Sequence, residues 1–283
     1  MLSDSGGAVL LKLYIKTIGI IAPGIRTWNE AKKALCDPDN YVSCPVDKKL
    51  DSLLPANERR RATRVTQLAL AAAQQTGSPE ALSQCLQVFS SSNGDLSTFN
   101  QISLALAMAG RPVSPTRFHN SVHNAPAGYW SIATQSQTPS TSITAYTDSL
   151  AAGLLEASVQ LNAHDNVNKR DCLLVCYDEI PPDAFSSQFI ITEEFACALT
   201  LSQSSENALA ELHISLGSGS EALSELSHNS MEALRLSNPQ AALLPLLNII
   251  AHAQYNQNLH TATITLPYFE LGINIRVTPL QHD

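Results

Sequence analysis

Two histidines, His119 and His123, lie four residues apart in a segment rich in polar and aromatic side chains. On a helix, imidazoles with this spacing share one face and can bind the same metal ion. The sequence offers no third ligand nearby, and Pro115 and Pro126 predict a helix that is short or broken. A metal site is therefore one alternative for this segment, with an incomplete set of ligands.

A serine close to these histidines offers a second kind of chemistry. Ser121 lies between them, and Ser149 ends the sequence Tyr146-Thr147-Asp148-Ser149. A serine hydroxyl becomes a nucleophile only when a base such as histidine accepts its proton. The chain contains no GxSxG turn of the α/β-hydrolase type. An acyltransferase or thioesterase with a Ser/His site is therefore kept as the alternative function.

The stretch STSITAYTDSLAAGLLEAS changes its pattern at the middle. Its β-branched first part predicts a strand over 140–146, and a small-residue helical pattern follows over 147–161. A strand that leads directly into a helix can present a catalytic side chain at the turn, here within Tyr146-Thr147-Asp148-Ser149.

Six cysteines occur in the chain, and no two of them form a CxxC motif. Cys172 and Cys176 lie about 13 Å apart along one apolar strand, which is too far for a shared metal ion. Buried, reduced thiols in a cytoplasmic protein are the simpler interpretation. The other four cysteines are Cys36, Cys44, Cys85 and Cys197.

The 283 residues carry a net charge of −8, and 44% of them are hydrophobic. This length supports a large core, and the acidic balance lacks the basic surface that nucleic acid requires. The basic cluster at 58–64 predicts a solvated or interface face. Lys12 and Lys16 interrupt the apolar N-terminal run, which predicts a buried strand rather than a signal sequence, and no membrane span is expected.

Strand and helix patterns alternate as far as residue 202, which predicts a layered α/β domain with a mainly parallel sheet. Residues 26–55 have no regular pattern. Helices are predicted at 58–75, 97–109 (capped by Ser97 or Thr98), 147–161 and 231–253, the last interrupted at Asn238-Pro239. Strands are predicted at 11–23, 86–92, 140–146, 172–179, 195–202, 261–269 and 271–277.

The segment SPTRFHNSVHNAPAGYWSI resembles the part of β-ketoacyl synthases that precedes the strand and turn carrying their active-site cysteine. More narrowly, HNSVHNAPAGYWSIAT resembles the short ketosynthase-like proteins of aryl polyene gene clusters, which are described as chain length factors. The resemblance covers 8–202 well and the remainder weakly. The matching positions are Ser114-Pro115, Asn124, Ala127-Gly128, Ile132 and Pro139-Ser140, with Thr138 in place of a glycine.

This resemblance implies a single ketosynthase-like domain with the thiolase-like layered fold. Its N-terminal half would be 8–202, and 203–283 would be a reduced C-terminal part. An ungapped alignment puts Thr147 at the family's cysteine, and a one-residue gap puts Tyr146 there. Both are hydroxyls with a pKa of about 10 or higher, so neither would replace a cysteine thiolate as a nucleophile. The two histidine motifs of the family's second half have no match. The expected protein is thus a non-catalytic subunit without a cofactor.

The resemblance also implies a partner. A chain length factor forms a heterodimer with a catalytic ketosynthase, and it limits the acyl chain that an acyl carrier protein delivers. The strand at 140–146 would lie at the sheet edge and pair with that partner. Candidate interface and tunnel residues are Phe99, Met108, Phe118, His119, His123, Tyr129, Trp130 and Tyr146. For Phe118, Tyr129 and Trp130, ordinary core packing is the alternative.

Overall fold

The computed structural model describes residues 11–163, 169–256 and 259–281. Within these residues, eight strands form one sheet in the order β3-β2-β4-β5-β1-β6-β8-β7. They are β1 (Leu11–Ile21), β2 (Leu86–Ser90), β3 (Ser140–Ile143), β4 (Cys172–Asp178), β5 (Phe195–Ser202), β6 (Ala210–Leu216), β7 (Ala262–Leu266) and β8 (Ile273–Pro279).

The helices that the structure describes cover both faces of part of this sheet and connect its strands. They are α1 (Trp28–Cys36), α2 (Ala56–Arg59), α3 (Arg64–Ala73), α4 (Pro79–Leu82), α5 (Leu96–Ala107), α6 (Pro115–Asn120), α7 (Ala125–Thr134), α8 (Ser149–Asn162), α9 (Asn229–Leu236) and α10 (Leu244–Asn256). Of these helices, none has the length and apolar character needed to cross a membrane.

The sheet is mixed, so the prediction of a mainly parallel sheet is wrong. Strand β2 pairs in parallel with β3 and β4, whereas the other five neighbouring pairs are antiparallel. A parallel pair needs a long crossover, usually through a helix. Residues 179–194 between β4 and β5 contain only the 3-10 turn Asp183–Phe185, so β5 returns antiparallel to β4.

The centre of the sheet lies between two helical layers. Leu173 and Val175 of β4 pack in the same apolar cluster as α3, whereas Leu174 and Cys176 pack with α8 and α10 on the opposite face. Because both faces are covered, every residue of β4 and β5 is buried. This burial on both faces explains why the sequences of these two strands are almost continuously apolar.

Strands β6 and β8 instead bury alternate residues only. Their apolar side chains face α10, and the opposite face is polar. On that face Glu211 of β6 accepts hydrogen bonds from Lys12 of β1, at 2.8 Å, and from His213, at 2.6 Å. This period of two is the pattern of a sheet that is packed on one side only.

Most predicted elements are confirmed, with three local differences. Residues 58–75 form two helices, α2 and α3, because the backbone turns at 60–63. The carbonyl of Arg61, released by this turn, accepts a hydrogen bond from the Asn120 side chain at 2.8 Å. The cap of α5 is Asp95, which accepts from the Thr98 amide at 2.7 Å, and not Ser97 or Thr98. Helices α1, α4 and α7 and strand β6 were absent from the predicted elements.

Helix α8 packs closely against β2 and β4 at Gly153. A methyl group at Gly153 would lie 2.8 Å from Cβ of Ser90 and 3.2 Å from Cδ1 of Leu174. The first distance is shorter than van der Waals contact, so only glycine fits here without a shift of the helix. This contact fixes the height of α8, and therefore of the turn that precedes it, above the sheet.

We expect Gly153→Ala to lower the free energy of unfolding by about 1–3 kcal/mol, because the added methyl overpacks the core. Gly128→Ala in α7 is the matched control, since a methyl there meets no heavy atom within 4 Å. It should raise stability by about 0.5–1 kcal/mol through helix propensity alone. Urea unfolding followed by tryptophan fluorescence measures both changes. Equal stability of Gly153→Ala and the unchanged protein would contradict the packing described here.

Candidate functional site at the turn after the edge strand

The turn between β3 and α8 lies at one margin of the sheet. Strand β3 pairs only with β2, and the chain then passes through the 3-10 turn Tyr146–Asp148 before α8 begins at Ser149. Tyr146 has a φ of 53°, in the left-handed region that residues other than glycine rarely adopt. Strained backbone of this kind is concentrated at functional sites and persists only where the surroundings hold it.

The turn is first held by its own residues. The Ser149 hydroxyl donates to the Tyr146 carbonyl at 2.7 Å and accepts from the Ala145 amide at 2.8 Å. The Ser149 carbonyl in turn accepts from the buried Ser90 hydroxyl at the end of β2, at 2.6 Å. Ser149 is therefore a structural residue of the turn, and its hydroxyl is not free to act as a nucleophile.

Two distant segments also hold the turn. The Tyr146 hydroxyl donates to the Gln188 carbonyl at 2.7 Å, and its ring packs against Phe189 with the centroids 5.7 Å apart. Asp148 accepts a hydrogen bond from the Phe269 amide at 2.7 Å. The loop after β4 and the turn between β7 and β8 thus converge on the same bend, although the sequence separates them widely.

The side chains at the tip of the bend are hydroxyls. Tyr146 is half-exposed, and Thr147 is exposed with its hydroxyl 3.3 Å from the Asp148 carboxylate. Among the described residues, no hydrogen bond joins a cysteine sulfur or a histidine to this tip. Within the described residues the tip therefore carries two hydroxyls and one carboxylate, and no thiol.

The cysteines lie elsewhere and are free thiols. Burial raises the pKa of the Cys85 thiol to about 11 and raises the pKa values of Cys172, Cys176 and Cys197 still further. These four thiols stay un-ionised at neutral pH, and the prediction that they are buried is confirmed. Cys36 is partly exposed and Cys44 is exposed, so the prediction of buried thiols is wrong for these two.

Beneath the bend, the ends of β2 and β4 are joined through one carboxylate. Asp178 is fully buried, and one of its oxygens accepts from the Ser91 hydroxyl at 2.7 Å and from the Ser92 amide at 2.9 Å. Its other oxygen accepts from the Gln240 side chain at 3.0 Å. Burial raises the pKa of Asp178, and these hydrogen bonds lower it again in part.

The structure does not assemble the Ser/His site. The Ser121 hydroxyl donates to the Phe118 carbonyl at 2.8 Å, and no hydrogen bond in the described residues joins it to either histidine. His123 contacts the Ile143 carbonyl through Nε2 at 3.1 Å, which ties α6 and α7 to the end of β3. His119 packs edge-on against Tyr129 with a centroid distance of 6.3 Å. In the part of the chain that the structure describes, no three His, Cys, Asp or Glu side chains are arranged so that they could hold one metal ion.

The candidate interface and tunnel residues fall into two groups. Phe99, Met108 and Phe118 expose 54%, 58% and 68% of their surface. They lie on or beside α5 and on α6, and α5 is an apolar helix that buries only Thr98 and Ala105 among its residues. Tyr129 and Trp130 are buried in this chain's own core, which favours the core alternative for both.

Three phenylalanines near the bend were missed in the sequence. Phe185 packs against Phe99 with a centroid distance of 5.9 Å, and Phe189 packs against Tyr146. Phe269 has a φ of 47° and donates its amide to Asp148. In the sequence these three residues are aromatic side chains in segments without helix or strand periodicity. That pattern does not predict which segments contact each other in the fold.

Glu179, next to Asp178, lies among polar groups but is poorly paired. It is buried, and its Oε1 atom has no hydrogen-bond partner among the described residues. Burial, and then the nearby Asp95 carboxylate, raise the pKa of Glu179 to about 7, whereas the Ser97 hydroxyl opposes this change. At neutral pH this carboxyl is therefore divided between its two protonation states.

The family model described as "Beta-ketoacyl synthase, N-terminal domain" matches residues 27–263. The chain therefore belongs to the family of β-ketoacyl synthase N-terminal domains, as the resemblance in the sequence implied. No protein with a curated description matches the sequence.

Solved structures with the same fold cover nearly the whole chain. One is the ketosynthase ApeO in complex with its chain length factor ApeC from Xenorhabdus doucetiae, at 23% identity and a TM-score of 0.66, covering 94% of this chain and 99% of the matched chain. The ishigamide ketosynthase/chain length factor matches at 13% identity and a TM-score of 0.69, covering 98% and 100%.

A third structure is AntDE:AntF, a type II polyketide acyl carrier protein in complex with its ketosynthase. It matches at 9% identity and a TM-score of 0.71, covering 96% of this chain and 100% of the matched chain. At these identities the likeness establishes the fold alone. The predicted ketosynthase-like, thiolase-like α/β fold is confirmed.

We expect Glu179→Gln to stabilise the protein at alkaline pH only. A carboxyl whose pKa is higher in the folded state than in the unfolded chain destabilises the fold once it ionises, so the penalty is absent below about pH 4.5 and complete above about pH 7. The difference corresponds to at most about 3 kcal/mol. Urea unfolding should give a gain of about 1–3 kcal/mol at pH 8 and almost none at pH 5.

Glu225→Gln is the control for this measurement, because Glu225 is exposed. It should change stability little at either pH. A gain for Glu179→Gln that is equal at pH 5 and pH 8 would show that ionisation of Glu179 is not its cause.

Proposed function

We propose that this chain is a chain length factor, a non-catalytic subunit that pairs with a β-ketoacyl-[acyl carrier protein] synthase and shapes its acyl tunnel. The observation that carries the proposal is Tyr146 at the tip of the strand–helix turn. The chain passes there from a strand through a tight turn into a helix, and the tip of the turn carries the Tyr146 phenol with the Thr147 hydroxyl beside it. We propose aryl polyene biosynthesis as the pathway, because residues 119–134 resemble the chain length factors of aryl polyene gene clusters.

The chemistry of the bend supports a non-catalytic subunit. A ketosynthase needs a nucleophile that attacks an acyl thioester, and a thiolate meets this need because it is both ionised and strongly nucleophilic. Tyr146 donates its proton to the Gln188 carbonyl and has no base as partner among the described residues. Thr147 adjoins only the Asp148 carboxylate. The synthase partner would therefore supply the bond-making groups.

The margin of the sheet supports pairing with another subunit. Strand β3 has a neighbour on one side only, so the backbone groups on its other side are available to a further strand. Such an edge attracts uncontrolled pairing unless a partner covers it. The exposed apolar side chains of α5 and α6, with Phe118 the most exposed among the candidates, extend the same margin. A ketosynthase bound here would bury both.

The tunnel role rests on bulk at this surface. In the proposed complex, Phe99, Met108 and Phe118 would reach the far end of the partner's acyl tunnel and raise the free energy of one more two-carbon extension. The Phe99–Phe185 contact gives Phe99 a fixed orientation for that task. The acyl chain in the tunnel would be conjugated, would have an aromatic head and would be attached to an acyl carrier protein. The carrier protein is therefore an indirect partner.

We also propose that 8–202 correspond to the N-terminal thiolase-like half and that 203–283 form a reduced C-terminal part. The alternation of β6 and β8 supports this division. These strands carry polar residues on the face opposite α10, as expected where the described chain provides no second helical layer.

Phe118→Asp should prevent assembly with the ketosynthase. Placing a carboxylate at the centre of an apolar contact removes an aromatic anchor and buries a charge, which weakens binding by at least about 30-fold. The test is co-expression with a β-ketoacyl synthase from the same genome, followed by co-purification and light scattering. Leu236→Asp is the control, because Leu236 is 64% exposed on α9 and outside the proposed interface.

Two results would contradict pairing. One is a stable monomer or homodimer of the unchanged chain in the presence of the synthase. The other is loss of the complex to the same extent in Leu236→Asp as in Phe118→Asp.

Phe99→Ala and Met108→Ala should each lengthen the product of the reconstituted complex. If each removes enough bulk for one more two-carbon unit, the longer product gains about 1.6 kcal/mol, at about 0.8 kcal/mol per buried methylene. The ratio of longer to native product should then rise roughly tenfold. Mass spectrometry of the chains on the carrier protein measures this ratio. Identical product lengths in both variants and in Leu236→Ala would exclude these residues as the tunnel end.

A further inference from the structure

A polar pocket of about 520 Å³ lies on the side of α5 that faces α6 and the turn between α2 and α3. Its walls come from these three elements, and its floor includes the residue that follows β4. The side chains that matter most are Glu179 on the floor and Arg60, Arg61 and Arg117 around it. None of the residues at the tip of the Tyr146 bend lines this pocket, so it is separate from the candidate site described above.

The floor carries an acceptor that the described protein does not use. Glu179 is 5% exposed, and its Oε1 atom has no hydrogen-bond partner among the described residues. A buried, unpaired carboxylate oxygen is costly, and native proteins rarely keep one without a role. Glutamine has the same shape and avoids the charge, so packing alone does not explain a glutamate here.

The arginines around the pocket are unequally engaged. Arg64 is committed to Glu194, with Nε 2.7 Å from Oε1, and Arg61 lies 3.7 Å from Glu58. In the part of the chain that the structure describes, the side chains of Arg60 and Arg117 make no ion pair or hydrogen bond. Two free guanidinium groups beside one cavity form a good environment for a phosphate or carboxylate, which they can grip with paired N–H donors.

We propose that this pocket binds a small organic molecule that carries both a phosphate or carboxylate group and a hydroxyl or amino group. The anionic group binds Arg60 and Arg117. The hydroxyl or amino group donates a hydrogen bond to Glu179, whose carboxyl group must rotate toward the pocket because its Oε1 atom is fully buried. Such a ligand satisfies the buried oxygen and neutralises the free guanidinium groups in one step. A simple anion contacts only Arg60 and Arg117. A ligand that also carries a hydroxyl or amino group contacts Glu179 as well and therefore binds more tightly.

The pocket shares helices α5 and α6 with the proposed ketosynthase interface but uses different side chains. It uses the face of α6 that carries Thr116, Arg117 and Asn120, whereas Phe118 points into solvent from the same helix. Asn120 is itself fixed, since it donates to the Arg61 carbonyl and accepts from the Tyr129 hydroxyl at 3.0 Å. The wall between the pocket and the core is therefore rigid before any ligand binds.

Two probes that differ only in the donor group test the proposal. O-Phosphoethanolamine carries a phosphate and an ammonium group, whereas ethyl phosphate carries the phosphate alone. Isothermal titration of the full chain at pH 7.5 should show O-phosphoethanolamine binding at least about tenfold more tightly, which is the effect of one charge-assisted hydrogen bond. Glu179→Gln should remove this preference and leave the affinity for ethyl phosphate unchanged or improved.

Arg117→Ala should weaken the binding of both probes by about tenfold, since it removes half of the anion grip. Arg59→Ala is the matched control, because Arg59 is exposed and does not line the pocket. Absence of saturable binding, equal affinity of the two probes in the unchanged chain, or equal losses in Arg59→Ala and Arg117→Ala would each overturn the proposal. None of these outcomes depends on whether the chain assembles with a synthase.

Discussion

The structure depends most on one buried carboxylate, that of Asp178. Strands β2, β3 and β4 are parallel, so their ends meet at one margin of the sheet, and polar backbone groups accumulate there. Asp178 accepts hydrogen bonds from Ser91, Ser92 and Gln240, which belong to segments far apart in the sequence. A buried charge without a cationic partner is tolerable only when donors surround it. The same donors therefore hold the strand ends in a fixed arrangement.

The bend at Tyr146 uses this fixed margin. Ser149 bridges the two sides of the bend, Ser90 anchors it to β2, and the backbone at Phe269 and Gln188 closes over it. No sulfur takes part in these contacts. The geometry of the turn is thus a property of the surrounding hydrogen bonds, and it persists when the side chain at the tip is unsuited to acyl transfer. In the proposed function, a subunit with this turn would keep the fold of the synthase family without carrying out acyl transfer itself.

Local patterns in the sequence predicted the elements around the site well. The β-branched run before Tyr146 and the small residues after it indicated a strand, a turn and a helix, because periodicity and side-chain size are local properties. The turn of Asn238-Pro239 was visible for the same reason. The family was recognised from the spacing of Ser114-Pro115, Asn124 and Ala127-Gly128, which the family match over residues 27–263 supports.

Properties that depend on distant segments were not accessible in this way. The direction of β5 follows from the absence of a helix over 179–194, and apolar strands read alike in either direction. Trp130 is buried because it packs in one cluster with residues of α3 and β4. The residue pattern of its own helix does not predict this packing. Glu179 is an ordinary acidic residue in the sequence. The lack of a partner for its Oε1 atom arises only because the fold buries that atom.

The left-handed backbone conformation at position 146 also restricts which amino acids can occupy this position. Valine, isoleucine and threonine are strongly disfavoured at such a φ because their branched Cβ collides with the backbone, whereas glycine and asparagine adopt it readily. Homologues that diverge at this position should accordingly sample a narrow and recognisable set of residues. The backbone conformation would then restrict which side chains can occupy the tip of the bend.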